Sequence, residues 1–158
     1  MKILVVCSGN ICRSPMVAEY LKHRLGREGL SHVVVSSAGT LGINGAPAAA
    51  EAIEAMAEVD VDLQGHRSRG ISAADIQSSD MVIVMDHRHL EELAVRYPTG
   101  RDFRYLLRQF EKGPEPASSG RDLQDPIGSE LAVFRKQREV LRVCVDHLVL
   151  HLKHTLPS

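Results

Sequence analysis

The sequence predicts an α/β protein built on an open, mostly parallel four-stranded sheet with helices on both faces. Three observations predict it. Apolar, β-branched runs recur as KILVVC (2–7), HVVVSSAG (32–39) and DMVIVM (80–85), and runs without polar alternation suit strands buried on both faces of a parallel sheet. Segments of helical periodicity separate these runs, which is the pattern of a doubly wound sheet. No internal repeat or linker interrupts the 158 residues, so one domain spanning 1–158 is expected.

The elements follow in order. KILVVC forms the first strand. A helix spans 14–29, with Ser14 as its N-cap, Pro15 at the first helical position and Gly29 at its end, as capping preferences ask. Met16, Val17, Tyr20, Leu21, Arg24 and Leu25 repeat on one face. The second strand is HVVVSSAG. An alanine-rich helix covers 47–59, and a short helix covers 72–77. DMVIVM is the third strand, followed by a helix over 86–97 that Pro98 stops. DFRYLL (102–107) is a weaker fourth strand. The stretch 111–128 is polar and rich in Pro and Gly, a loop long enough to suggest function. A long amphipathic helix over 129–153 completes the fold.

Composition excludes several classes. The net charge is −1, so there is no basic field for nucleic acid and no nucleic-acid partner is expected. No apolar stretch approaches the ~20 residues a membrane helix needs, and the five apolar residues Ile3 to Cys7 are too few for a secretory leader. Three cysteines are an odd and sparse set for a secreted disulfide framework, which points to a reduced, cytoplasmic protein.

The junction between the first strand and first helix reads CSGNICRS (7–14). Ligands of open α/β sheets bind beyond the carboxyl ends of strands. A helix N-terminus presents unpaired N–H groups that stabilise a phosphate or a thiolate. Cys7 opens the loop, and Arg13 can bind two phosphate oxygens at once. Gly9 would let the backbone turn with positive φ and approach an anion, and Asn10 tolerates the left-handed region. The Ser14 hydroxyl can donate to the Cys7 sulfur, and together these groups favour the thiolate. No Gly-Lys-Ser/Thr follows, so the loop is not of the nucleotide-binding kind.

VCSGNICRSP (6–15) resembles the phosphate-binding loop of the low-molecular-weight protein tyrosine phosphatase family. SSAGT (36–40), VMD (84–86) and Asp125-Pro126 match that family's other landmarks in order. The resemblance implies hydrolysis of a phosphomonoester through a phosphocysteine, on a phosphorylated protein substrate, by a monomer without metal or other cofactor. It carries the nucleophile to Cys7, the phosphate-binding arginine to Arg13 and the general acid to Asp125. The phosphate-binding loop, after the first strand, becomes Ser8, Gly9, Asn10, Ile11, Cys12, Arg13 and Ser14. Ser14 steadies the thiolate, Ser37 and Asn10 brace the loop, and His66 in GHRSRG helps to hold it. Cys12 either packs as a small apolar residue or traps oxidised Cys7 as a disulfide.

Other groups read as structural. Cys144 lies on an apolar helix face and belongs in the core. His87 and His89, two apart on a helix, face different sides and are expected in solvent. HRSR (66–69) and the other basic residues are read as solvated. Substrate choice is less plain. Phosphotyrosine enzymes of this family often carry aromatic residues after Asp-Pro and beyond SAGT, whereas Ile127-Gly128-Ser129 and TLGINGAP (40–47) hold none. The DPIGSE continuation resembles the protein-arginine phosphatase branch, whose loop has Thr where this chain has Ile11. That branched aliphatic side chain favours phosphotyrosine over phosphoarginine. Arsenate reduction on the same scaffold would need relay cysteines, and none lies between Cys12 and Cys144.

Overall fold

The computed structural model describes residues 1–100 and 103–157. Its four strands are β1 (Lys2–Cys7), β2 (Val34–Gly39), β3 (Met81–Val84) and β4 (Arg104–Leu106). They form one sheet in the order β2-β1-β3-β4, with every neighbouring pair parallel. The helices are α1 (Arg13–Arg27), α2 (Ala50–Ala57), α3 (Ala73–Ser78), α4 (His87–Arg96) and α5 (Leu131–Thr155). A turn of 3-10 helix, Leu107–Phe110, follows β4 directly. The expected strand at 102–107 begins on Asp102, outside the described residues, and its described part is the three-residue β4.

Strand alternation divides the core into two layers. Ile3, Val5, Ile83 and Met85 face α1, α2 and α5, together with Met16, Leu21, Phe134, Leu141 and Leu148. Leu4, Val6, Val82 and Val84 face the opposite side and pack with Leu93 of α4 and Ile71. The uninterrupted apolar runs of β1 and β3 are therefore required, because both of their faces are covered.

Two expectations about α1 are corrected. The helix starts one residue earlier than Ser14, with Cys12 at its N-cap and no side-chain cap. Ser14 thus sits at the second helical position and Pro15 at the third, where a missing N–H is still without cost. The Ser14 hydroxyl is engaged elsewhere, as described below. At the other end, Gly29 takes φ 73°, Leu30 N–H donates to Leu25 O at 2.8 Å and Gly29 N–H to Gly26 O at 3.4 Å. These are the paired bonds of a glycine-terminated helix.

β1 lies between β2, the next strand in sequence, and β3, reached by crossing back over it. The chain thus leaves β1 toward one side and returns on the other. This is the topological switch point where open α/β sheets open a crevice. Residues 7–13 span that crevice.

The long α5 turns Leu148 into the core and leaves Leu150 41% exposed. Leu148→Ala should destabilise the fold by about 2–5 kcal/mol in urea denaturation, while Leu150→Ala should stay within about 0.5 kcal/mol. Equal losses at both positions would contradict this packing.

Candidate active site

Cys7 ends β1 and its sulfur is buried. Sγ accepts the Asn10 backbone N–H at 3.3 Å and lies 2.9 Å from Ser14 Oγ. Ser14 Oγ also accepts from Asn10 Nδ2 at 2.8 Å, and its hydroxyl proton is free to donate to a Cys7 thiolate. With Cys7 as a thiolate, which can only accept, the Asn10 N–H and the Ser14 hydroxyl both donate to Sγ. Cys12 is buried beside the same cavity. Burial, reinforced by the nearby Asp125 and Cys7 charges, pushes its thiol up to about 12. Cys12 is therefore protonated at neutral pH. Cys7, Cys12 and Cys144 are all free thiols, and Cys144 lies in the core as expected.

Asn10 organises the loop. Its backbone is left-handed, φ 59°, a conformation asparagine tolerates better than most residues. The orientation of its amide is fixed by its partners. Arg69 N–H can only donate, so Oδ1 faces it at 3.0 Å. Nδ2 then serves Ser14 Oγ and, at 2.9 Å, Ser37 Oγ of β2. The Asn10 carbonyl lies 2.7 Å from His66 Nε2. A carbonyl oxygen only accepts, so Nε2 carries the proton there. Ser37 and His66 thus both touch the loop through Asn10.

The positive φ expected at Gly9 falls on Asn10 instead. Gly9 is not left-handed, and a Cβ there would meet only side chains, Ile11 at an ordinary 3.4 Å and Ile43 at 3.9 Å. The essential glycine is Gly39, at the end of β2. A Cβ on Gly39 would lie 2.6 Å from Ser8 O and 3.0 Å from Asn10 N. The loop crosses β2 so closely that only glycine fits.

Arg13, the first residue of α1, is buried. Its Nη1 donates to Asp86 Oδ2 at 2.8 Å and to Leu123 O at 2.9 Å. Nη2 points toward Ser8 Oγ, 3.4 Å away, and Asp125 Oδ2, 3.8 Å away. One arm of the fork is thus anchored and the other faces the cavity. Burial alone would raise the Asp86 carboxyl. Hydrogen bonds from Arg88 and Arg13 outweigh it and hold the group far below the usual carboxylate range.

Asp125 comes from the long loop before α5. Its Oδ1 accepts Ile127 N–H at 3.1 Å, which turns Oδ2 toward Arg13. Its side chain is 36% exposed at the cavity rim. The loop is fixed from behind. Leu123 N–H donates to Met85 O at 2.8 Å, and Asp122 Oδ1 accepts the His87 backbone N–H at 2.9 Å. The cavity, about 190 Å³, has Cys7 and Arg13 at its base, with Ile11, Leu41, Ile43, Ile127 and Asp125 around it.

His89 corrects the sequence reading. It was expected in solvent, yet it is 1% exposed. Its Nδ1 receives the Asp86 backbone N–H at 3.1 Å and its Nε2 lies 2.9 Å from Ser8 Oγ. His87 is exposed, as expected, and contacts Asp122. Asp86 and His89 hold the N-cap and third positions of α4 and close a reciprocal cap. The usual signature of such a cap has Glu or Gln at the third position, so MDHRH offers only a partial signal. Arg69 is less free than a solvated cation, since it pairs with Asp75 at 2.9 Å and lends its backbone N–H to Asn10.

This geometry agrees with known proteins. The family model described as low molecular weight phosphotyrosine protein phosphatase matches residues 2–157. The chain belongs to that family. It is 35% identical over 151 residues to the probable low molecular weight protein-tyrosine-phosphatase EpsP of Ralstonia nicotianae, covering 96% of this chain and 95% of that one. It is 33% identical to a protein-arginine-phosphatase of Bacillus subtilis, covering 97% of each. Among solved structures, a mutant of the YwlE arginine phosphatase with a phosphorylated active-site serine superposes with a TM-score of 0.90. The two are 31% identical, over 98% of this chain and 97% of that one.

Two measurements test the geometry. Gly39→Ala should cost about 1–3 kcal/mol from the forced backbone shift, while Gly113→Ala, with open space around its Cβ, should change little. Burial pushes His89 down to about 4, against the partly opposing Asp86 charge. A histidine held neutral by the fold is not penalised above its unfolded pKa, near 6.5, and loses stability as pH falls toward 4. Stability should therefore drop by roughly 1–3 kcal/mol between pH 6.5 and 4, and His89→Gln should flatten that part of the curve. An unchanged slope in the variant would remove His89 as its cause.

Proposed function

We propose that this chain is a cysteine-dependent protein tyrosine phosphatase that hydrolyses aryl phosphomonoesters. The observation carrying this reading is the convergence of the Cys7 sulfur, the free arm of Arg13 and the Asp125 carboxyl on one small cavity with aliphatic walls.

The chemistry follows from these positions. The Cys7 thiolate attacks phosphorus, and the S–P bond forms as the P–O bond to the leaving group breaks. Arg13 binds non-bridging oxygens through its cavity-facing arm, while Asp86 holds the rest of the guanidinium. The protonated Asp125 gives its proton to the departing phenolic oxygen. As a carboxylate, Asp125 then takes a proton from water, which attacks the phosphocysteine. Phosphate leaves and the thiolate is restored. Cys12, protonated and buried, does not compete as nucleophile. It remains available to close a disulfide with Cys7, with loss of water, after a peroxide has oxidised the Cys7 thiolate to the sulfenic acid.

Ile11, Leu41, Ile43 and Ile127 replace the aromatic walls expected of a phenyl slot. Aliphatic side chains can flank a ring equally well by apolar contact. Ile11 brings no hydroxyl into the loop, which favours phosphotyrosine over phosphoarginine. All groups used come from one chain, so a monomer suffices to act on phosphorylated protein. Among the described residues no helix is long and apolar enough to cross a membrane. The three free thiols suit a reducing, cytoplasmic setting.

Cys7→Ser should abolish turnover of p-nitrophenyl phosphate, and Asp125→Ala should lower kcat by about 10²–10⁴-fold. Residual activity near the parent level in the first variant would overturn the mechanism. On matched peptides, kcat/KM for phosphotyrosine should exceed that for phosphoarginine, and the opposite order would assign the chain to arginine dephosphorylation.

A further inference from the structure

Ser8 and His89 adjoin the proposed phosphate site but have no part in the steps above. Ser8 lines the cavity. Its Oγ lies 2.9 Å from His89 Nε2 and 3.4 Å from Arg13 Nη2. The direction of the first bond is determined by the far side of the imidazole. Asp86 N–H is a backbone donor and occupies Nδ1 at 3.1 Å. Nδ1 therefore carries the lone pair, and the neutral ring carries its proton on Nε2. His89 donates to Ser8, and Arg13 can only donate as well. Both acceptor positions of the Ser8 oxygen are thus directed at protein donors. What remains is its O–H, and the open direction is the cavity.

We propose that His89 is a positioning residue that fixes Ser8 as a hydroxyl donor to a non-bridging oxygen of the phosphoryl group. This role rests on the phosphatase reading and adds a substrate contact to it. Without the imidazole, the Ser8 hydroxyl could rotate to give its proton to a protein acceptor instead. With it, the hydroxyl is oriented before substrate arrives, which is how a donor contributes most to a developing charge. The donor tautomer is secure at neutral pH, since burial pushes His89 down to about 4. The groups facing it are Asp86, Arg13, Arg88 and Glu92.

Variants can separate this role from helix capping. Asparagine at 89 keeps an acceptor for Asp86 N–H and is too short to reach Ser8. Glutamine places an amide donor near the position of Nε2 and gives up the cap. The assays are kcat and KM on p-nitrophenyl phosphate and the dissociation constant of inorganic phosphate, with thermal melting to verify folding. Ser8→Ala and His89→Asn should each lower kcat/KM about 10-fold and weaken phosphate binding similarly, as expected for one hydrogen bond to a charged group. The double variant should be no worse than Ser8→Ala alone. Ser8→Thr and His89→Gln should recover to within about 3-fold of the parent. A purely structural role predicts the reverse order, with His89→Asn active and His89→Gln impaired. That order, an unaffected Ser8→Ala, or multiplicative losses in the double variant would overturn the proposal. If the parent itself fails to turn over the aryl phosphate, the phosphatase reading falls. Phosphate binding by Ser8→Ala against the parent then still decides the Ser8 contact.

Discussion

One side-chain amide holds the site together. Asn10 sits at the tip of the loop in a left-handed backbone and spends its amide on three separate parts of the chain. It reaches Ser14 on α1, Ser37 on β2 and the Arg69 N–H in the segment before α3. The His66 ring secures its carbonyl. Backbone N–H groups of Thr40, Leu41 and Ala49 hold the Cys7, Ser8 and Ile11 carbonyls, and Asn10 supplies the side-chain hub. The same amide holds the Ser14 hydroxyl 2.9 Å from the Cys7 sulfur.

A second constraint acts on charge. A buried guanidinium is costly unless paired, and Arg13 is paired with Asp86 through one arm only. Asp86 in turn is the N-cap of α4, so the arginine's geometry is inherited from the end of β3. Leu123 ties the acid loop to the same strand end through Met85, and its carbonyl also accepts from Arg13. The proposed acid and the phosphate-binding arm thus share one support. Their relative position does not depend on the length of the loop between them.

The sequence was most informative where a single local pattern decides structure. The apolar runs of β1 and β3, the Gly29 stop and the loop Cys7–Ser14 could all be read directly. Ser37 and His66 came from resemblance, and the structure brings both to Asn10. Other features are set by contacts between distant segments. His89 looks like one of two solvated histidines, because nothing nearby in the chain reveals that Ser8, 81 residues away, closes over it. Gly39 reads as the end of a strand, and its necessity arises from the loop of another strand crossing it. Ser14 looks like a cap by propensity, yet the sulfur and Asn10 claim its hydroxyl. In each case local preference was overridden by a partner that topology alone supplies.

The position of β1 in the sheet has a consequence for how the chain is made. The strand bearing Cys7 is the first to be synthesised, but its ladder partners begin at Val34 on one side and Met81 on the other. One edge of this strand can pair once β2 emerges, but the other must wait for β3, until more than half the chain has been made. Parallel pairings of this long range are slow to form, and exposed strand edges invite association in the interval. The cavity closes later still, when the stretch containing Leu123 and Asp125 docks on the end of β3. Cys7, the proposed nucleophile, is among the first residues to leave the ribosome, and Asp125, the proposed acid, follows more than a hundred residues later.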